Sequence, residues 1–201
     1  MILNENEILR QRLRENDLDF SDEDIDEFLK TDYIGDLDFS ETDIEYLPLK
    51  GSIKNISGNV DLKSCKKLKD LGRLTSVGGS LDLYNCNKLT SLGNLTSVGG
   101  NLDLNSCINL TDLGNLTSVG RDLYLYNCHN LTSLGNLTTV SGNLDLSDCH
   151  DLESLGNLTN VGGKLILDNC INLTDLGNLT SVGVYISGFK GDKSKYPHFT
   201  F

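Results

Sequence analysis

The sequence predicts a stacked-repeat solenoid with a parallel sheet along one side and a small helical cap at its N-terminal end. Three observations carry that expectation. From Leu74 the chain repeats every 21 residues without an insertion: LTSVGGSLDLYNCNKLTSLGN, then LTSVGGNLDLNSCINLTDLGN, then LTSVGRDLYLYNCHNLTSLGN, two further copies, and a fading one from Leu179. A strict period of roughly 20–50 residues marks stacked repeats. Within one copy, Leu81 and Leu83 are apolar with period two, which suits a short strand with one buried face. The apolar positions that follow, Cys86, Leu89, Leu92, Leu95 and Val98, fall every three residues. No long α-helix buries that stripe continuously, but a tight coil with an inward residue at each corner does. One coil cannot bury it alone, so neighbouring coils must stack.

In chain order, residues 1–31 predict a helical, acidic cap. Ile8, Leu9 and Leu13 sit at helical spacing, and Asn16 to Phe20 breaks the pattern. Ser21-Asp-Glu-Asp24 then resembles a helix start, a capping hydroxyl with acids in the first turn, before Ile25, Phe28 and Leu29. Residues 32–189 predict the solenoid. Its first inward positions are Leu37, Val60, Leu81, Leu102, Leu123, Leu144, Leu165 and Ile186, which makes about eight coils. At a strand spacing of about 4.8 Å the sheet is roughly 34 Å across. Few residues remain for the outer side, so extended or 3-10 segments are expected there. In the closing segment, Tyr185, Phe189, Tyr196, Phe199 and Phe201 interleave with Lys190, Lys193 and Lys195. Residues 190–201 therefore read as a C-terminal cap or tail covering the last coil, with nucleic-acid stacking as the alternative.

The string L-x-L-x-x-C-x-x-L-x-x-L-x-x-L resembles leucine-rich repeats, with Cys where that family most often has Asn. Upstream, the stretch from Leu37 to Pro48 looks like a variant with Thr42 in the same slot, so the resemblance covers roughly Leu37 to Phe189. It implies a right-handed coil with the parallel sheet on a concave face, and a role as a binding scaffold.

Charge is unevenly placed. The formal net charge is −12, and residues 1–50 hold sixteen Asp and Glu against five Lys and Arg. Net acidity argues against direct nucleic-acid binding and favours a basic partner. No apolar run is long enough to cross a membrane, and the start does not read as a signal peptide, so a cytoplasmic setting is expected, in the producing cell or a host cell. Cys65, Cys86, Cys107, Cys128, Cys149 and Cys170 follow the repeat register. They read as packing residues in a reducing compartment, not as a disulfide framework or metal site.

The residues between inward leucines form three outward columns. The central one reads Asp38, Asp61, Asp82, Asp103, Tyr124, Asp145, Ile166 and Ser187. The column before it runs from Asp36 through Asn59, Ser80, Asn101, Asp122, Asn143 and Lys164 to Tyr185. The column after it runs from Ser40 through Lys63, Tyr84, Asn105, Tyr126, Ser147 and Asp168 to Phe189. Stacked aspartates at strand spacing repel by about 0.8 kcal/mol per pair in water, so they are either tolerated by-products of duplication or a groove for Arg and Lys. Asp38, Asp61, Asp82, Tyr84, Asp103, Asp122, Tyr124, Tyr126, Asp145 and Asp168 are the candidate partner-binding residues, with tyrosines supplying anchor chemistry.

No nucleophile elbow, phosphate loop or zinc-protease helix is present, and the recurring Val-Gly-Gly reads as turn residues, not a phosphate cradle. His129 and His150 hold equivalent places in adjacent coils and should stack outside the core. The expectation is a non-catalytic protein-binding module without cofactor or metal. Two alternatives stand beside it. One is an inhibitor or effector of viral or bacterial origin that blocks a basic nucleic-acid-binding surface of its target. The other is a structural array without a specific ligand.

Overall fold

The computed structural model describes residues 35–47 and 54–201. The helical cap expected over residues 1–31 lies outside the described residues. What is described is a parallel β-solenoid with two sheets and almost no helix. The first sheet has eight two-residue strands: Leu37–Asp38, Val60–Asp61, Leu81–Asp82, Leu102–Asp103, Leu123–Tyr124, Leu144–Asp145, Leu165–Ile166 and Ile186–Ser187. Each pairs in register with the next coil, as in Leu81↔Leu102 and Asp82↔Asp103. All eight expected inward positions are strand residues, and all are buried.

The second sheet is the main addition to the sequence reading. It has seven strands: Asn55–Ile56, Ser76–Val77, Ser97–Val98, Ser118–Val119, Thr139–Val140, Asn160–Val161 and Ser181–Val182. The outer side is thus extended, as expected, but paired into a continuous parallel sheet. The only 3-10 helix among the described residues is Lys193–Lys195, after the last coil. Eight strands on one side and seven on the other make about seven turns.

The triplet spacing has a direct backbone cause. Cys86 N–H bonds to Leu83 O at 3.1 Å, Leu89 N–H to Cys86 O at 3.1 Å, and Leu95 N–H to Leu92 O at 3.2 Å. These three corners are turns closed across three residues, so the side chain opening and the side chain closing each of them both face inward. Leu81, Leu83, Cys86, Leu89, Leu92, Leu95 and Val98 are all at most 1% exposed, and no polar or charged residue is buried among the described ones. The interior is a stack of identical apolar rings, each shielded by the rings above and below.

The Val-Gly-Gly glycines sit where the chain bends, as expected, and a further constraint acts on them. The chain bends at Gly78 and Gly79, but neither is in the left-handed region, which is instead adopted by glycines such as Gly93 of the Leu-Gly-Asn corners, at φ +58°. What demands glycine after the valine is proximity. A Cβ on Gly99 would overlap the carbonyl oxygen of Gly78, and one on Gly120 that of Gly99. Where other residues stand in these columns the ladder stretches. Gly99 and Gly162 N–H reach the coil below at 2.8 Å, Ser141 at 3.0 Å, and Arg121 at 3.2 Å against 2.8 Å for Gly100.

At the C-terminal end Phe189, given above as the last outward residue of its column, turns inward and is 4% exposed, directly after Gly188 at φ +73°. Tyr196 and Phe199 pack beside the core, and Tyr196 meets Phe189 edge-on at 5.9 Å. Ile186 N–H bonds to Thr200 O at 2.7 Å, and Leu176 N–H to the Tyr196 hydroxyl at 2.9 Å.

Candidate functional site

The outward face of the eight-stranded sheet carries the candidate residues, and its geometry begins with the strand ends. A strand of two residues leaves its ladder incomplete: continued pairing would join Asn105 N–H to Leu83 O. Instead Asn105 N–H bonds to the Asp103 carboxylate at 2.9 Å, and Leu83 O accepts the Cys107 thiol at 3.1 Å. The same pair of substitutions recurs along the array. Asp38, Asp61, Asp82 and Asp145 accept the N–H two residues on, from Ser40, Lys63, Tyr84 and Ser147, at 2.8–2.9 Å. All six cysteines donate to a carbonyl of the preceding coil at 3.0–3.2 Å. In the coils that carry them, the aspartate column and the cysteine ladder are two halves of one device that pairs the backbone groups left over at the strand end.

Tyr124 tests this reading, because it stands where other coils have Asp. The Tyr126 N–H, deprived of an acid two residues before, is taken by the Asn105 side chain of the coil below at 2.8 Å. The column before the aspartates forms a second ladder, in which each side chain accepts the N–H of its counterpart in the next coil: Ser80 N–H to Asn59, Asn101 N–H to Ser80, Asp122 N–H to Asn101, Asn143 N–H to Asp122, Lys164 N–H to Asn143. Asp122 also accepts the Tyr124 hydroxyl at 3.0 Å.

The register places Asp38, Asp61, Asp82 and Asp103 side by side, with Tyr124 between Asp103 and Asp145. Asp168 lies at the far end of the next column and is exposed. Partial desolvation, with the neighbouring aspartates adding, pushes the Asp61 and Asp103 carboxyls up, partly offset by their backbone hydrogen bonds. Burial and the Asp122 carboxylate push the Tyr124 phenol up as well. Tyr84 and Tyr126 stand clear of the sheet at 39% and 46% exposure, and Lys63 Nζ lies 5.7 Å from the Tyr84 ring centre.

The thiols are free, buried, and pushed up by desolvation, Cys107 and Cys170 to about 12. His129 and His150 stack at 4.8 Å with their rings 5° from parallel, between coils and outside the core. Among the described residues no three His, Cys, Asp or Glu side chains are grouped to hold a metal ion, and no helix is long and apolar enough to cross a membrane. A shallow groove of about 390 Å³ runs over the second sheet, floored by the Ser-Val-Gly segments from Ser76 to Ser141. Sequence reasoning missed the hydrogen-bonding roles of the Asp and Cys columns. A usable signal was present: Asp two residues before an unpaired N–H, followed by residues such as Asn85 and Asp148 that tolerate the left-handed backbone they adopt.

No protein-family model matches the chain, and neither a curated protein nor a solved structure matches it. The fold and the surface carry the functional argument.

Proposed function

We propose that this chain is a non-catalytic recognition module of the leucine-rich-repeat type. It binds a basic partner protein through the outward, concave face of the eight-stranded sheet, aided by the acidic segment before it. The observation that carries this reading is the placement of charge and aromatic surface together. Across the three outward columns there are eight aspartates against two lysines, Lys63 and Lys164, with Tyr84 and Tyr126 exposed in their midst. The opposite sheet presents serine, threonine, asparagine and glycine, and so has little with which to select a partner. Six free buried thiols fit a reducing, cytoplasmic setting.

The aspartates serve the fold through an oxygen and the surface through a charge, and these roles separate. Asn keeps the accepting oxygen and loses the charge. The test is affinity capture from the source cell's lysate, with wild type and a variant carrying Asn at 61, 82, 103 and 145 as baits. The expected result is a partner held by wild type, released by salt, and lost by a variant that still folds. Equal capture by both removes the aspartate column from the mechanism. A captured partner that nucleic acid displaces identifies an inhibitor of a nucleic-acid-binding surface.

A further inference from the structure

Building on the reading of this face as a docking surface for a basic protein, we propose that Tyr126 is its anchor: the ring, one column over from Asp103 and Asp145, takes a lysine or arginine side chain of the partner. The protein already shows how lysine meets tyrosine. On this face Lys63 lies 5.7 Å from the Tyr84 ring centre and Lys164 5.4 Å from that of Tyr185, and off this sheet Lys69 lies 5.4 Å from the Tyr46 ring centre. Tyr126 is more exposed than Tyr46 or Tyr84, at 46% against 44% and 39%, and no lysine or arginine among the described residues lies over its ring.

Its neighbours along the column explain why. Asn105 stands one coil before and Ser147 one coil after, both short and neither cationic. Asn105 is held by its bond from Tyr126 N–H at 2.8 Å, and Ser147 donates its hydroxyl to Asp145 at 2.6 Å. Both side chains are therefore drawn down onto the sheet. Asp103 and Asp145 sit in the adjacent column, one coil to either side. One strand spacing and a two-residue step place each about 8 Å away at the backbone, within reach of a cation seated on the ring. A cation over an aromatic face gains from the ring quadrupole, and more so where carboxylates share it. Burial has already raised the Asp103 carboxyl, so an arriving cation relieves an existing cost.

The test uses the full chain and a short oligoarginine peptide at low salt, with dissociation constants from titration calorimetry. Tyr126→Leu is expected to weaken binding by about tenfold. Tyr126→Phe, which keeps the ring, should stay within about twofold of wild type, and Tyr84→Leu should lose far less than Tyr126→Leu because Lys63 already covers that ring. Thermal melts verify that the variants fold. Wild-type affinity in Tyr126→Leu overturns the anchor while leaving the acidic face in place. Failure of wild type to bind the peptide overturns both the anchor and the basic-partner reading. Equal losses at Tyr84 and Tyr126 also overturn the assignment, since the covered ring would then matter as much as the open one.

Discussion

The coils that carry both an aspartate and a cysteine of these columns use the two side chains to complete what a two-residue strand cannot. Cys107 is fully buried and donates to Leu83 O at 3.1 Å. Cys107→Ala removes that donor and leaves a small void, a cost of about 1–3 kcal/mol in a denaturant melt. Because desolvation holds the thiols in the neutral form, all six should resist a thiol reagent in the native protein and react together on unfolding. The aspartates make an opposite prediction about charge. Burial raises the folded-state Asp61 and Asp103 carboxyls, so the folded chain holds protons there that the unfolded chain releases. Their contribution to stability is lost as pH rises through that raised window, and at neutral pH the charges are a cost. Asp61→Asn with Asp103→Asn should raise Tm at pH 7 by a few degrees. The gain should vanish below about pH 4, where the wild-type carboxyls are themselves neutral.

At the scale of the element, the strands and corners are tolerant of side-chain identity outward and strict inward, and the glycine column is strict because of its neighbour. Gly99→Ala places a Cβ against the Gly78 carbonyl and should cost about 1–3 kcal/mol in a thermal or denaturant melt. Ser141 shows the accommodation available, a ladder bond lengthened from 2.8 to 3.0 Å. The inward positions of the eight-stranded sheet were legible in the sequence, since Leu81 and Leu83 alternate and the triplets that follow leave one buried residue per corner. The second sheet was not. A Ser-Val pair holds one outward and one inward residue, too short to show alternation, and only stacking reveals that successive pairs bond. The candidate columns were legible as a surface, because outward residues follow from inward ones. Their hydrogen bonds were not, because a strand's stopping point is set by the backbone and not by its apolar pattern. Phe189 departs from its column for a related reason: a left-handed Gly188 breaks the alternation that placed it outside.

For the whole molecule, stability is shared between nearest neighbours, since every ring of leucines is covered by the rings on either side. The outward face is correspondingly regular, and its individuality comes from the places where the repeat is broken: Tyr124 for Asp, Tyr84 and Tyr126 in the next column, Lys63 and Lys164 at opposite ends. Acid surrounds these positions, which suits a basic partner and a salt-sensitive encounter. The most direct test of that claim is an amide NMR titration of the full chain with the oligoarginine peptide. The account predicts shifts concentrated at Lys63, Tyr84, Asn105, Tyr126 and Ser147, whose N–H groups are held by side chains of this face. Shifts confined to the serine–valine sheet, or to residues 1–34, would contradict it.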